Sequence, residues 1–94
     1  MRPAANATVQ VDDGRVRVTR FDFEPGAETG WHKHAHDYVI TALTTCNMRL
    51  EDVVGTSRAV TVAAGDSYRR DAGVEHNVIC AGPDPMSFVE VEIK

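Results

Sequence analysis

A chain of 94 residues with 43% hydrophobic side chains is expected to form one domain spanning residues 1–94. Its net charge of −4 and its ten scattered Lys and Arg residues lack the clustered basic face of a nucleic-acid binder. No apolar run is long enough to span a membrane, and the first residues lack the apolar segment of a signal peptide. We therefore expect a cytoplasmic protein whose two cysteines, Cys46 and Cys80, are free thiols.

The residue pattern in the first third of the chain predicts a β-hairpin. Residues 7–12 and 15–23 alternate in polarity, and Asp13-Gly14 between them predicts a two-residue turn of type I′. In the second run, the valines stand at even-numbered positions and the phenylalanines at odd-numbered ones, so they cannot all point to the same face of a regular strand. Either a bulge near Thr19 and Arg20 restores the phase, or both faces of this strand are partly covered.

Three of the four histidines lie close together in the next stretch. If this stretch is extended, His32, His34 and His36 line one face of a strand, and Tyr38 shares their phase. The remaining histidine, His76, lies in a later stretch punctuated by glycines. An isolated strand histidine is more often structural, but this concentration raises the hypothesis that the two segments converge on a metal ion.

The rest of the chain continues as short β-type runs between turn residues, without a sustained helical period. These runs cover residues 38–43, 48–53, 58–62, 67–70, 76–80 and 87–93. The total of eight or nine short strands predicts an all-β sandwich or barrel. Residues 1–14 are expected to form an N-terminal strand or arm that pairs with a second subunit, which predicts a homodimer.

The histidine pair fits the first motif of the cupin superfamily, which runs Gly, five residues, His-x-His, three or four residues, Glu. Gly26 stands five residues before His32 and His34, which match the pair. The position of the glutamate falls on Tyr38 or Val39. The first motif is therefore present without its carboxylate.

The second cupin motif runs Gly, five residues, Pro-x-Gly, two residues, His, three residues, Asn. Gly65, Gly73 and His76 match its spacing, whereas Asp71 and Cys80 stand where Pro and Asn are usual. Like Gly26, these glycines are expected at tight turns that favour a positive φ.

The resemblance covers roughly residues 15–93 and implies a small cupin-type jelly-roll β-barrel of eight to nine short antiparallel strands. The run from Pro25 to Val39 is also similar to a group of small cupins associated with β-alanine degradation. Both similarities imply a small-molecule ligand.

The family's usual site of three histidines and one glutamate implies a divalent transition metal, Fe or alternatively Zn, Ni, Mn or Cu. Here His32, His34 and His76 are the expected ligands, with His36 either a fourth ligand or a group beside the metal. Water or substrate would otherwise hold the open positions. Tyr38 is the candidate catalytic residue, as an acid or a hydrogen-bond donor, and the alternative for it is a packed core tyrosine.

Three neutral histidines leave the charge of a divalent ion uncompensated, which favours an anionic organic substrate. The function implied by the resemblance is a metalloenzyme, with dioxygenase-like chemistry expected first. One alternative is a non-catalytic module that binds a small molecule, with a structural or recognition metal. Another is a metal-free fold in which the histidines bind the ligand directly.

Overall fold

The computed structural model describes residues 1–94 as an all-β chain of nine strands, which confirms the predicted fold class. It contains no helix long and apolar enough to cross a membrane. The strands are β1 (Asn6–Asp12), β2 (Val16–Phe23), β3 (His32–Lys33), β4 (Asp37–Ala42), β5 (Cys46–Asp52), β6 (Ser57–Val62), β7 (Ser67–Arg70), β8 (Glu75–Cys80) and β9 (Met86–Ile93).

The strands form two antiparallel sheets in a jelly-roll arrangement. One sheet has the order β1-β2-β9-β4-β7 and the other β3-β8-β5-β6. Alternate residues of β4 and β5 point inward, so that Tyr38, Ile40 and Met48 are buried in the core. Cys46 and Cys80 are buried free thiols, as predicted.

The predicted hairpin between β1 and β2 is present, but its turn is of a different kind. Residues 13–15 connect the strands, and Gly14 does not have the positive φ that a type I′ turn requires. The Oδ1 atom of Asp13 accepts hydrogen bonds from the backbone N–H groups of Arg15 and Val16, at 2.8 and 2.9 Å. The type I′ prediction is wrong because the aspartate side chain organises the turn.

The bulge that we predicted near Thr19 lies on the neighbouring strand. β2 runs without interruption, and the register shift occurs between Val9 and Val11 of β1. In β2 Phe23 is buried and Val18 is half-buried, although they point to opposite faces. The second alternative, partial cover on both faces, therefore describes this strand.

The histidine stretch is not one continuous strand, and this expectation was wrong. β3 ends at Lys33 and β4 begins at Asp37. Between them, the backbone of His34 forms two hydrogen bonds to the loop before β8, one from its N–H to the Val74 carbonyl and one to its carbonyl from the Gly73 N–H, both at 2.8 Å. These bonds bend the chain away from an extended path.

Candidate metal centre

Three histidine side chains meet between the two sheets. His32 and His76 are directly opposite each other in the β3–β8 register, and His34 reaches the same point from the bend. The Nε2 atom of His34 lies 3.0 Å from that of His32 and 3.1 Å from that of His76. The structure thus brings both predicted histidine segments together, with the three ligand atoms all within 4.8 Å of one another.

The backbone determines which nitrogen of His32 faces this cluster. Its Nδ1 atom lies 2.8 Å from the Gly30 carbonyl oxygen, which can only accept a hydrogen bond. Nδ1 therefore carries the proton, and in the neutral ring the lone pair of Nε2 points into the cluster. This is the tautomer that a metal ligand needs.

The other two imidazoles are buried and neutral. Burial, together with the neighbouring His32, lowers the pKa of His34 to about 4 and that of His76 to about 3. The Nε2 atom of His34 faces the Nε2 atoms of His32 and His76, and a single proton on it can form a hydrogen bond with only one of them. Three imidazoles directed at one point instead fit a divalent transition metal ion.

Asn77 supports the loop that orients His32. It is 1% exposed, and its Oδ1 accepts a hydrogen bond from the Gly30 N–H at 3.0 Å. Its Nδ2 donates to a carboxylate oxygen of Glu28 at 2.7 Å and to one of Glu51 at 3.1 Å. Asn77 thus holds the residue whose carbonyl sets the tautomer of His32.

His36 lies outside the three-histidine cluster. It lines a cavity of about 400 Å³ whose wall also includes His32 and His34. Its role as a fourth ligand or as a group beside the metal stays a prediction.

Tyr38 contacts the cluster through its ring. The ring stacks on the imidazole of His34, with centroids 3.7 Å apart and an interplanar angle of 17°. The side chain is buried, its hydroxyl has no hydrogen-bond partner, and burial raises its pKa, so the phenol stays protonated. Its predicted role in catalysis stays a prediction.

Comparison with known proteins decides the family, because residues 19–92 match the cupin domain. The chain belongs to the cupin family. It is 54% identical over 93 residues to the β-alanine degradation protein BauB of Pseudomonas aeruginosa, covering 99% of this chain and 97% of BauB.

Solved structures agree with this cupin fold. A cupin domain from Bordetella pertussis superposes with a TM-score of 0.95 at 49% identity, over 100% of this chain and 97% of that one. A Klebsiella pneumoniae protein with a double-stranded β-helix domain has a TM-score of 0.78 at 23% identity, over 96% and 76% of the two chains.

A glutamate that the motif comparison did not find lies beside this cupin's histidines. Glu90 is 7% exposed, and one of its carboxylate oxygens lies 3.8 Å from Nε2 of His34. Burial, with a smaller effect of Glu92, raises the pKa of Glu90 to about 8. In the sequence, Glu90 shares the strand phase of the buried Phe88, and this was the signal that could have placed it in the core. Val89 and Val91 made the opposite face of the strand equally apolar, so the pattern did not indicate which face is buried.

A second cavity of about 400 Å³ flanks the cluster on the side of His76. Arg58 and Arg70 line it together with His76. Neither arginine forms an ion pair in the structure, whereas Arg69 pairs with Asp37 and Asp71. The positive charge of Arg70 also contributes to the lowered pKa values of His34 and His76.

Proposed function

We propose that this cupin is a metal-dependent enzyme that acts on a small anionic organic substrate. The observation that carries the proposal is the convergence of three imidazoles through their Nε2 atoms. The ion would be a divalent transition metal, with Fe first and Zn, Ni, Mn or Cu as alternatives. Such an ion supplies Lewis acidity or redox chemistry at the positions that the protein leaves open.

Two arginines of the second cavity, which is also lined by Glu51, Asp52 and Glu75, support an anionic substrate. The unpaired guanidinium groups of Arg58 and Arg70 line this cavity beside His76. A guanidinium group binds a carboxylate through two parallel hydrogen bonds, which would orient the substrate toward the cluster.

The resemblance to BauB supplies a substrate class to test. Because BauB is named for β-alanine degradation, we propose a small acid derived from β-alanine, or β-alanine itself bound through its carboxylate. Dioxygenase-like chemistry is the first reaction to assay. Tyr38 would act there as a proton or hydrogen-bond partner, and His36 would contact either the metal or the substrate from the cavity wall.

The decisive experiment is metal analysis of protein purified without a nickel-affinity step. We expect about one divalent metal ion per chain, lost in His76→Ala, followed by oxygen uptake with β-amino acids, thiols and small carboxylates. A metal-loaded protein that binds such molecules without turnover would favour the binding-module alternative. Wild-type protein that holds no metal and takes up none would contradict the proposal.

We also propose that the protein is a homodimer. All seven residues of β1 are exposed, and Val9 and Val11 among them are apolar. β1 forms one edge of the five-stranded sheet, so its outer hydrogen-bonding groups have no neighbouring strand. Pairing of this strand with a second copy would cover both features.

A further inference from the structure

We infer that Glu90, from strand β9, is a carboxylate ligand of the metal and replaces the glutamate that is absent from the first motif. This inference rests on the proposed metal-binding function. The position of the motif glutamate is occupied by Tyr38 or Val39, so the carboxylate would come from a different strand of the barrel.

The sheet register places Glu90 beside the histidines. It pairs with Thr19 of β2 on one side and with Ile40 of β4 on the other, in the middle of the five-stranded sheet. Its carboxylate oxygen is 3.8 Å from Nε2 of His34, the nitrogen that faces the cluster. Ligand atoms about 2.1 Å from one ion lie roughly 3.0 to 3.4 Å apart, so the Glu90 side chain would have to move toward the three nitrogens to coordinate the same ion.

A cation beside Glu90 would also stabilise the ionised form of its carboxyl group. A carboxylate that is buried without a positive partner is strongly disfavoured. Around Glu90 the structure places the imidazole of His34 and the carboxyl group of Glu92, and Arg17 lines the same cavity. A divalent ion on the three histidines would supply the missing positive charge at the correct point.

A carboxylate ligand would change the net charge of the metal centre that the substrate has to balance. With three neutral imidazoles alone, a divalent ion retains its full charge of two. One carboxylate ligand reduces this to a net charge of one, so a substrate with a single carboxylate would neutralise the centre. His36 would then remain in the cavity wall as a group that could face the substrate.

The test measures the affinity of Co²⁺ for the purified protein by competition with a fluorescent chelator, together with the visible absorption of bound Co²⁺. The variants are Glu90→Gln, Glu90→Asp, His36→Gln and the matched control Glu75→Gln. Glu75 is exposed and adjacent to His76, so its substitution removes the same charge near the site. We expect Glu90→Gln to weaken Co²⁺ binding at least tenfold and to change the spectrum, with a smaller loss in Glu90→Asp.

Glu75→Gln and His36→Gln should stay within about twofold of wild type. Thermal unfolding of the metal-free variants tests whether each is folded, and Glu90→Gln should be no less stable than wild type because it removes a buried carboxyl group. Unchanged affinity and spectrum in Glu90→Gln would overturn the inference while leaving the three-histidine site intact. An affinity lost in His36→Gln but not in Glu90→Gln would also overturn it, in favour of His36. Wild-type protein that binds no Co²⁺ would instead count against the proposed function itself.

Discussion

At the scale of single residues, the centre depends on side chains that never touch the metal position. Asn77 fixes Gly30, and the Gly30 carbonyl in turn accepts the Nδ1 proton of His32. The same amide group joins Glu28 and Glu51. The direction of the His32 lone pair is therefore set by a buried hydrogen-bond network.

Asn77→Ala should destabilise the protein and weaken metal binding together. It leaves the Gly30 N–H without its partner and removes one donor each from Glu28 and Glu51, which also pair with Arg2, and we expect it to lower the free energy of unfolding by about 1–3 kcal/mol. Without a fixed His32 ring, metal affinity should fall about tenfold. Urea unfolding and chelator competition measure the two effects, and an unchanged metal affinity in a folded variant would refute the role of Asn77.

Tyr38→Phe should separate stability from catalysis. The buried hydroxyl has no hydrogen-bond partner, so its removal should leave the free energy of unfolding unchanged or raise it by about 1 kcal/mol. If the hydroxyl serves the reaction, turnover should fall at least about a hundredfold while the metal stays bound. Full activity in a stable, metal-loaded Tyr38→Phe protein would show that Tyr38 is only a packing residue.

At the scale of elements, the loop between β7 and β8 determines where His34 lies. The bond from the Gly73 N–H to the His34 carbonyl requires the backbone conformation that Gly73 adopts, with a φ of +97°. Gly26 and Gly65 also have positive φ values, of 83° and 87°, which confirms the prediction for these three turns.

Gly73→Ala should destabilise the protein through its backbone alone. A Cβ atom at Gly73 would have no heavy atom within 4 Å, so the cost of about 1–3 kcal/mol comes from the positive φ. Gly14→Ala is the matched control, because Gly14 also has open space but no positive φ, and it should be neutral or slightly stabilising. Equal unfolding free energies for the two variants would contradict this explanation.

The edge strand β1 provides the test of the proposed dimer. Val9→Lys places a charge on this exposed strand and should weaken dimerisation at least tenfold, as measured by sedimentation or by light scattering after gel filtration. Val54→Lys is the control, because Val54 is 78% exposed in the loop between β5 and β6. Wild-type protein that is monomeric at micromolar concentration would contradict the homodimer.

At the scale of the whole molecule, the buried groups make the stability of the metal-free protein depend on pH in two opposite ways. His34 and His76 have pKa values lowered from 6.5 to about 4 and about 3, so they favour folding above pH 6.5 and lose this contribution as the pH falls. Glu90 has a pKa raised from 4.5 to about 8, so it favours folding below pH 4.5 and loses this contribution as the pH rises to 8.

Together, these two effects predict that the free energy of unfolding of the metal-free protein is greatest near pH 6.5. Near pH 5 the unfolded chain binds two protons on these histidines, whereas the folded chain binds one on Glu90. The unfolded state thus holds one more proton, so the free energy of unfolding should rise with pH by about 1.4 kcal/mol per unit near pH 5. Above pH 6.5 the protonated Glu90 dominates, and the free energy should fall by less than about 1 kcal/mol per pH unit up to pH 8. Urea unfolding in the presence of a chelator measures the profile, and Glu90→Gln should abolish the decline above pH 6.5.

The sequence alone was sufficient for most strand positions, the cupin resemblance and the prediction that His32, His34 and His76 converge. Alternating polarity, turn glycines and motif spacing are properties of residues that are close in the chain. They can be recognised without knowing which strands pair, because any fold that buries one face of each strand produces them. The predicted number of strands and their approximate bounds followed from these patterns.

Only the tertiary structure decided the bend at His34, the position of His36 outside the cluster and the approach of Glu90. The bend depends on hydrogen bonds to Gly73 and Val74, and Glu90 reaches His34 through the register of β9 between β2 and β4. These contacts join residues about 40 to 70 positions apart in the chain, and no local periodicity encodes such pairings.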